Sequence, residues 1–528
     1  MRKKLICVLL ALALTTGLFS GCSRSKSLNF SYPVTDDVRT FDPQYTTAPT
    51  ARTVITNCFD CLVAQDADGN IIPAAAESWE QHGRMYTFRL RADAAWKIPD
   101  VVLNTFADKI PKTYAPVVTA ADFVFAFRRL ASPETDAPAA YIFDSIQNFT
   151  EARAGLVAPD TIAVTASSDY TLTITTAYDD PDFLTKLSMP EAAPCHEEFF
   201  ELCGGRYGLG RGYLIYNGPY YLTRWEEKSL YRISKDDEYT GLRAVGADAV
   251  WFYYNEDAQK MNDKLADGVY SAGITNITAF SPDTVDSDYT VTEINDVLHA
   301  LIFNCSAGTA ATPALRQALI LSADNDIFSG TQSYFPAITA ASLPDGVTEN
   351  KLPAENVPAA KTALKAGLAE LGTEKAEITV LCTAAHEDML KQQMQHWQKT
   401  LGITMNVKIN AVAANDLLNA VNSGDYEAAF YPLQAASDSY IDFLSAFVSG
   451  AAENLTGYAS ESYDKNFTAL CGARTATAQA EAANLLLKEL RDNAVFLPAL
   501  QGSTYFVRNA NAAGVYFRGS TSQLYFTK

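Results

Sequence analysis

The pattern of hydrophobic and polar positions between residues 82 and 300 is mostly that of β-strands. The segment 84–91 alternates, with Tyr86, Phe88 and Leu90 on one face, as a half-buried strand does. Similar runs predict strands at 161–166, 170–176, 220–225, 230–235, 249–254 and 300–304. The first two of these runs flank a short polar turn and predict a hairpin.

One helix interrupts this region, at residues 120–131. Thr119 and Asp122 have the spacing of a capping box at its start, and apolar residues then recur on one face. Pro133 ends the pattern, because proline cannot continue a helix.

After residue 304 the pattern changes to alternating helices and strands. Helices are predicted from Pro313, from Pro358 to Gly372, at 387–401 and at 414–422, and strands at 378–382, 403–409 and 426–433. This order predicts a mostly parallel sheet covered by helices. Ligands on such sheets lie beyond the carboxyl ends of the strands, so the loop at 434–442 is the best candidate site on geometry alone.

Length and composition narrow the class of protein. The 528 residues are about three times the commonest domain size, which predicts two or three domains. With 48% hydrophobic and 19% charged residues, the chain has the composition of a globular protein and not of a disordered one. The formal net charge of -20 repels phosphate backbones, so we do not expect nucleic acid as a partner.

The first residues have the layout of a secretory signal peptide. Three basic residues precede an apolar run at 5–14 that is too short to span a bilayer. The segment 18–22, LFSGC, resembles the lipobox of bacterial lipoproteins, in which the chain is cut before a cysteine that carries lipid. This resemblance implies a signal peptide at 1–21, lipidation of Cys22 and a tether at 22–27. The alternative is a secreted protein in which this cysteine is an ordinary thiol.

The cysteines and histidines do not form a recognisable metal or catalytic set. Cys58 and Cys61 form a C-x-x-C without a second pair at zinc-finger spacing, so a redox or metal role competes with simple burial. Cys195 and Cys203 are candidates for a local disulfide, and other pairings stay open. The sequence contains no nucleophile elbow, phosphate-binding loop or dinucleotide-binding motif. We therefore expect no metal, no cofactor and no catalytic residue.

A series of short motifs runs in order through most of the chain. They are FDP at 41–43, CLV at 61–63, DGNIIPAAAESW at 68–79, YTFRLR at 86–91, WK at 96–97, TAADFVFAFRR at 119–129, NGPY at 217–220, FN at 303–304 and LRQAL at 315–319. Together they resemble the peptide/nickel type, family 5, of bacterial extracellular solute-binding proteins, the receptors of ABC importers. The chain departs from the family pattern at 98–118, where it carries a longer segment that we expect to form a lid or a surface elaboration.

This resemblance implies an α/β fold of two lobes, of the periplasmic-binding-protein type (type II) that closes around its ligand at a hinge. Lobe I is expected to comprise 28–57, 190–296 and 495–528. An extra subdomain of lobe I is expected at 58–189, and lobe II at 297–494.

The resemblance also implies a ligand site. In the family, an aspartate of an A-D-Y block holds the amino terminus of the peptide, and Asp438 is the residue here that resembles it. The alternative is an aspartate that caps its loop. A bound peptide would pair as a strand with edges such as 30–34 and 434–437. The candidate ligand-binding residues are Tyr32, Trp225, Gln434, Ala436, Ser437, Asp438 and Tyr440, with the tryptophan and the last tyrosine as pocket walls.

The expected protein is a lipid-anchored receptor on the extracellular or periplasmic face of the cell membrane. It would bind a solute, with an oligopeptide as the favoured cargo, and deliver it to the permease subunits of an ABC importer. We expect it to be a monomer and not an enzyme. Two alternatives stay open: a sensor or adhesion lipoprotein on the same fold, and an exported hydrolase.

Overall fold

The structure of the chain is a computed structural model. It describes residues 29–46, 48–180, 182–254, 258–275, 287–328, 333–434, 439–451, 453–473, 475–510, 512, 515–518 and 523–526. The predicted signal peptide, Cys22 and the candidate residues Ala436, Ser437 and Asp438 lie outside the described residues.

Strands and helices occur along the whole described chain. The strands are β1 (Asn29–Val34), β2 (Val63–Gln65), β3 (Ile71–Pro73), β4 (Ala76–His82), β5 (Met85–Leu90), β6 (Val164–Ser168), β7 (Thr171–Thr175), β8 (Tyr220–Glu226), β9 (Leu230–Lys235), β10 (Ala249–Tyr254), β11 (Ala272–Thr275), β12 (Tyr289–Phe303), β13 (Ala376–Cys382), β14 (Met405–Ala411), β15 (Ala428–Gln434), β16 (Phe496–Asn509), β17 (Tyr516–Arg518) and β18 (Gln523–Tyr525). The helices are α1 (Pro49–Cys58), α2 (Asp100–Thr105), α3 (Ala120–Leu130), α4 (Phe149–Arg153), α5 (Phe183–Lys186), α6 (Glu197–Cys203), α7 (Ala258–Ala266), α8 (Pro313–Leu321), α9 (Ala337–Ala340), α10 (Val357–Leu371), α11 (Glu387–Leu401), α12 (Ala414–Ser423), α13 (Tyr440–Ser445), α14 (Glu461–Cys471) and α15 (Ala476–Asp492).

The predicted lobe I contains a four-stranded sheet in the order β1-β10-β9-β8. β1 runs parallel to β10, and β9 is antiparallel to both of its neighbours. The strands predicted at 230–235 and 249–254 are confirmed with the same bounds. Phe30, Tyr231 and Phe252 are buried, so the apolar face of this sheet forms part of a core.

An antiparallel sheet in the order β4-β5-β7-β6 lies within the residues predicted for the subdomain. The alternation of β5 is confirmed, because Tyr86, Phe88 and Leu90 are all buried. The predicted hairpin is confirmed as β6 paired with β7. α3 packs against β6 and begins with the predicted capping box, in which the backbone N–H of Thr119 donates to the Asp122 carboxylate over 2.7 Å.

A six-stranded sheet in the order β11-β16-β12-β15-β13-β14 is formed by strands that lie between residues 272 and 509. β13 is parallel to β14 and β15, as the sequence predicted. The prediction of a mostly parallel sheet is nevertheless wrong, because β12 is antiparallel to both β15 and β16, and β16 is antiparallel to β11. The alternating segment supplies only the three parallel strands β13, β14 and β15. The long strands β12 and β16, together with β11, complete a mixed sheet.

Those two long strands carry the chain between the predicted lobes. β12 has 15 residues and β16 has 14, and they pair from Tyr289 with Asn509 to Ile302 with Phe496. The strand predicted at 300–304 is therefore only the end of β12. Because Val297 of β12 pairs with Gly502 of β16, we propose that the second crossing between lobes lies near Gly502 and not at residue 495.

The cysteines of the described chain are all free thiols, so the disulfide suggested for Cys195 and Cys203 is wrong. Both thiols are buried and have separate neighbours. The Cys195 sulfur accepts from Arg129 Nη1 over 3.5 Å, and the Cys203 thiol donates to the Tyr213 carbonyl over 3.9 Å.

The segment at 98–118 packs on lobe I. An isolated bridge between Ala95 and Val117 closes its base, and it contains the short helix α2. The ring of Phe106 lies 5.8 Å from that of Phe199 and 5.9 Å from that of Tyr213. These contacts hold the segment against residues of the predicted lobe I, and its role as a lid or a surface elaboration stays a prediction.

Candidate ligand-binding site

The carboxyl end of β15 leaves part of a strand edge uncovered. β15 pairs with β12 along its whole length, as far as Val297 with Gln434. On its other side it pairs with β13 only at Ala428 and Ala429. From Phe430 to Gln434, no strand of the described chain pairs with that edge. Apart from the N–H that Pro432 lacks, its backbone groups could pair with an extended ligand.

A cavity of about 240 Å³ lies beside this end of β15. It is lined by Tyr141, Pro432, Leu433, Gln434, Asp442, Phe443, Ser445, Ala446, Phe447, Glu453, Leu455 and Thr456. Tyr141 belongs to the predicted subdomain and the other lining residues belong to the predicted lobe II. The cavity therefore lies between the two parts of the molecule, with apolar walls and two carboxylates.

A larger cavity of about 500 Å³ lies along the two crossing strands. Thr290, Glu293, Phe506 and Arg508 are among the residues that line it. Its walls include residues of the two strands that are expected to join the predicted lobes. The smaller cavity is the better candidate, since it lies where strands end and a strand edge is open.

Charged groups of the subdomain and lobe II meet near α13. Lys186 of α5 donates to Asp180 over 3.0 Å, and both side chains are largely buried. Burial opposes the charge on Lys186, but Asp180 and then Asp442 of α13 outweigh this effect and raise the pKa of its ammonium group. An acidic residue of lobe II thus helps to keep a subdomain lysine charged.

Tyr440, a predicted wall residue, is the first residue of α13. Its backbone N–H donates to Ser342 Oγ over 3.1 Å. Its side chain is 6% exposed, and the buried hydroxyl has no hydrogen-bond partner among the described residues. Burial, and then the negative charge of Asp182, raise the pKa of this hydroxyl, so it stays protonated.

Gln434, another predicted site residue, lies at the hinge as well as in the cavity wall. Its Nε2 donates to Asp296 Oδ2 over 2.9 Å. Asp296 also accepts from Thr504 Oγ1 over 3.0 Å. The last residue of β15 is therefore connected to both crossing strands.

The structure does not bring Tyr32 and Trp225 to this cavity. Tyr32 is buried in lobe I with its ring 6.1 Å from that of Phe252. Trp225 is half-buried and packs against Phe41, with ring centroids 4.7 Å apart. Their roles as ligand-binding residues stay predictions.

The edge of β1 predicted to pair with a peptide is partly occupied. Ser31 exchanges backbone and hydroxyl hydrogen bonds with Ser271, including a bond from the Ser271 N–H to the Ser31 carbonyl over 2.8 Å. Pro33 has no N–H to offer a ligand. These contacts argue against pairing at Ser31 and Pro33, and the pairing of a bound peptide with 30–34 stays a prediction.

Sequence reasoning did not single out Tyr141, Phe443 and Glu453, which line the candidate cavity. Tyr141 lies in a short 3-10 helix (Ala140–Phe143) that has no periodic signal and reaches lobe II only through tertiary packing. Asp442 lies within the loop predicted at 434–442, so the sequence did identify the region that contains this residue. No group of three potential metal ligands occurs in the described parts of the chain.

Among the described residues, no helix has both the length and the apolar character needed to cross a membrane.

Known proteins share both the sequence and the fold of this chain. At the sequence level, it is 25% identical over 495 residues to the periplasmic murein peptide-binding protein MppA of Escherichia coli (strain K12), which covers 89% of this chain and 86% of MppA. The structure of Listeria monocytogenes OppA bound to peptide superposes with a TM-score of 0.73 at 21% identity, covering 96% of this chain and 100% of that chain. The structure of the Escherichia coli murein tripeptide binding protein MppA gives 0.73 at 20% identity, covering 96% and 99%.

These superpositions confirm the predicted α/β fold of two lobes, of the periplasmic-binding-protein type. The family described as "Bacterial extracellular solute-binding proteins, family 5 Middle" matches residues 70–454. Members of this family are binding proteins and not enzymes. The chain therefore belongs to the bacterial extracellular solute-binding proteins of family 5, the family that its motifs resemble.

Proposed function

We propose that this protein binds an oligopeptide between its two lobes and delivers it to an ABC importer. The observation that carries the proposal is the cavity between Tyr141 and the open edge of β15. An extended peptide can pair its backbone with such an edge while its side chains enter neighbouring pockets. The names of the relatives, a murein peptide-binding protein and a peptide-bound OppA, support a peptide as cargo.

The test is native mass spectrometry of the purified protein after incubation with a mixed pool of short peptides. We expect a subset of peptides to be bound and recovered unmodified. The same peptides should raise the melting temperature, because a ligand that binds only the folded state stabilises it by mass action. If no peptide binds, the proposal is wrong, and time-dependent cleavage of the peptides would instead support the hydrolase alternative.

Transport is separated from sensing by an uptake experiment in cells. A labelled peptide that binds the pure protein should enter cells that produce it and not cells that lack it. Binding without any difference in uptake would support the sensor or adhesion alternative.

We also propose that Cys22 carries lipid and anchors the protein to the outer face of the membrane. A diacylglyceryl group supplies two acyl chains, which is enough for stable attachment. Cys22→Ala should release the protein from the membrane fraction into the medium or periplasm. Retention of this variant with the membrane would contradict the anchor.

Asp438 remains our proposal for the group that binds the amino terminus of the peptide. Loss of one partner of a desolvated charge pair costs roughly 2 to 5 kcal/mol, so Asp438→Ala should weaken a free-amino peptide by about thirtyfold or more. An N-acetylated peptide should lose much less. Equal losses for both peptides in calorimetry would mean that Asp438 shapes its loop.

A further inference from the structure

The cavity beside β15 has the size of a pocket for one side chain. Its volume is about 240 Å³, whereas sites that enclose a whole drug-sized ligand measure roughly 300 to 1,000 Å³. It lies beside the strand edge with which a peptide backbone could pair. The cavity therefore suits one residue of a longer ligand and not the whole ligand.

One wall of this cavity is formed by packed aromatic rings. Phe443 and Phe447 line it, and their ring centroids are 5.9 Å apart. The ring of Phe447 stacks on that of Phe496 at 5.2 Å, and the ring of Phe443 lies 5.3 Å from that of Phe335. Because close-packed rings cannot move aside without losing contacts, this wall keeps its shape when a ligand binds.

Aliphatic side chains extend the apolar surface. Leu433, Ala446 and Leu455 line the cavity and are only partly buried, so they offer contact area to a ligand. Leu433 pairs with Leu298 of β12, and both pack in the core that contains the aromatic wall. Side chains of paired residues in neighbouring strands lie on the same face of the sheet. A peptide residue paired opposite Leu433 would therefore project its side chain to the cavity side.

The polar side chains that line the cavity are occupied or face solvent. Gln434, Ser445 and Thr456 each donate a hydrogen bond to another group of the protein. Asp442 already has an interaction partner, and Glu453 is exposed to solvent. The wall therefore offers little to a polar or charged side chain of a ligand.

Tyr141 lines the cavity from the predicted subdomain. Burial, and then the charge of Asp442, raise the pKa of its hydroxyl, so the ring is neutral. A polar side chain placed here would give up hydrogen bonds to water without replacing them, which is unfavourable. An apolar side chain gains free energy by leaving water.

From this lining, and on the basis of the peptide-binding function proposed above, we propose that the cavity is a specificity pocket for one large apolar side chain of the bound peptide, of the leucine or phenylalanine class. The side chain would lie between the aromatic wall and the ring of Tyr141. Selection at this position comes from burial of apolar surface and not from charge. The pocket is distinct from the amino-terminal contact proposed for Asp438.

The experiment uses tetra-alanine peptides in which one position at a time is replaced by leucine, phenylalanine, asparagine or lysine. Asparagine has nearly the shape of leucine but is polar. Binding to the full protein is measured by calorimetry at several temperatures. We expect leucine or phenylalanine at one position to bind about tenfold or more tightly than alanine or asparagine there.

Two further readouts identify the cause of this preference. The heat capacity change of binding should be more negative for the leucine peptide than for the asparagine peptide, because more apolar surface is buried. The ratio of their affinities should not change as salt is raised, since screening acts on charges. A preference for lysine at that position, or a leucine preference that disappears with salt, would contradict the proposal.

Ala446→Leu is the decisive variant, because it fills part of the cavity from the end of α13. It should weaken the leucine peptide by about tenfold and tetra-alanine by less than about twofold. Ala366→Leu is the matched control, since Ala366 is an exposed residue of α10, and it should change neither affinity.

A second variant removes a wall instead of filling the cavity, so the test does not depend on the folding of one protein. Leu433→Ala should weaken the leucine peptide by about fivefold and tetra-alanine by less than about twofold. Leu418→Ala is its control, because Leu418 lies on α12 and is 43% exposed. The melting temperature of each variant is measured first.

The outcomes separate this inference from the proposed function. If no peptide of any kind binds, the peptide function itself is wrong. If peptides bind but leucine, phenylalanine and asparagine are equivalent at every position, the cavity is not an apolar specificity pocket and the peptide function stands. A leucine preference that survives both Ala446→Leu and Leu433→Ala would also overturn the inference and would place the apolar pocket elsewhere.

Discussion

At the scale of single residues, Arg243 is a buried charge with a hydrogen-bond partner at each of its three guanidinium nitrogens. Its Nε donates to Asp60 over 2.7 Å, and its other nitrogens donate to the Thr56 and Phe59 carbonyls at the end of α1. Tyr239 donates to the second oxygen of Asp60 over 2.8 Å. This network fixes the end of α1 against the loop that carries Arg243.

Removal of one partner from this network should destabilise the protein strongly. Arg243→Met leaves Asp60 buried without its cation, which costs about 3 to 5 kcal/mol in such pairs. The free energy of unfolding in urea measures the effect. Arg224→Met is the control, because Arg224 pairs with Glu226 on the surface and such pairs contribute roughly 0 to 1 kcal/mol. Equal effects of the two substitutions would contradict the assigned role of Arg243.

A second residue-scale prediction concerns His299. Burial and the neighbouring His386, whose ring centroid is 5.0 Å away, lower the pKa of His299 from 6.5 to about 4. The folded state therefore binds the proton less well than the unfolded state. The contribution of neutral His299 is complete above about pH 6.5 and is lost as the pH falls towards 4.

The measurement is the free energy of unfolding of wild type and His299→Leu at pH 7 and pH 4.5. The wild type should lose up to about 2 kcal/mol more than the variant over this interval. Other groups that titrate in the same range contribute to both proteins and cancel in the difference. The same loss in both proteins would show that His299 is not held neutral by the fold.

At the scale of elements, the periodicity of the sequence predicted individual helices and strands well. It did not predict the pairing of strands that are far apart in the sequence. α11 has the predicted bounds, since its apolar residues repeat with the helical period. β12 was predicted only at its apolar end, because its first half contains polar residues on both faces, such as Thr292, Asn295 and Asp296. Pairing with β16 over many residues extends this half, and no local pattern records that partner.

The motifs that revealed the family are largely structural. Asn217 of the NGPY motif exchanges hydrogen bonds with the backbone of Asp60, and a Cβ on Gly218 would lie 2.6 Å from the Cys58 carbonyl carbon. Such residues identify the fold. The cavity instead is lined by both Tyr141 and the end of β15, residues nearly 300 positions apart whose proximity the sequence cannot reveal.

The connection between β15 and the hinge gives a prediction at this scale. Asp296 is 5% exposed and accepts bonds from both Gln434 and Thr504, next to the register shift between Ile294 and Val297. Asp296→Ala should cost about 1 to 3 kcal/mol, because it removes the charged acceptor of these hydrogen bonds. Hydrogen exchange at 430–434 should accelerate.

The matched control for Asp296→Ala is Ser503→Ala. Ser503 Oγ also bonds to β12, donating to Glu293 over 2.8 Å, but this contact is exposed to solvent. We expect its loss to change stability by less than about 0.5 kcal/mol and to leave exchange at 430–434 unchanged. If both variants behave alike, Asp296 does not hold the end of β15.

At the scale of the whole molecule, we expect the approach of the two predicted lobes to depend on charge as well as on ligand. Lys186 is attracted by Asp180 within the subdomain and by Asp442 in lobe II. Without this lysine, the two carboxylates would be like charges on opposite sides of the cleft. Since closure requires both lobes to come together, the free energy of the closed state should depend on Lys186.

Lys186→Met should therefore shift the ligand-free protein towards more open arrangements and weaken peptide binding, because part of the binding energy is then used to close the lobes. Small-angle X-ray scattering should give a larger radius of gyration for this variant without peptide, and saturating peptide should restore the wild-type value. Lys465→Met, an exposed lysine of α14 with the same change of charge, should leave both quantities unchanged. If Lys186→Met instead melts normally and keeps the wild-type radius of gyration and peptide affinity, the lobes approach each other independently of Lys186. In that case its charge does not stabilise the closed state.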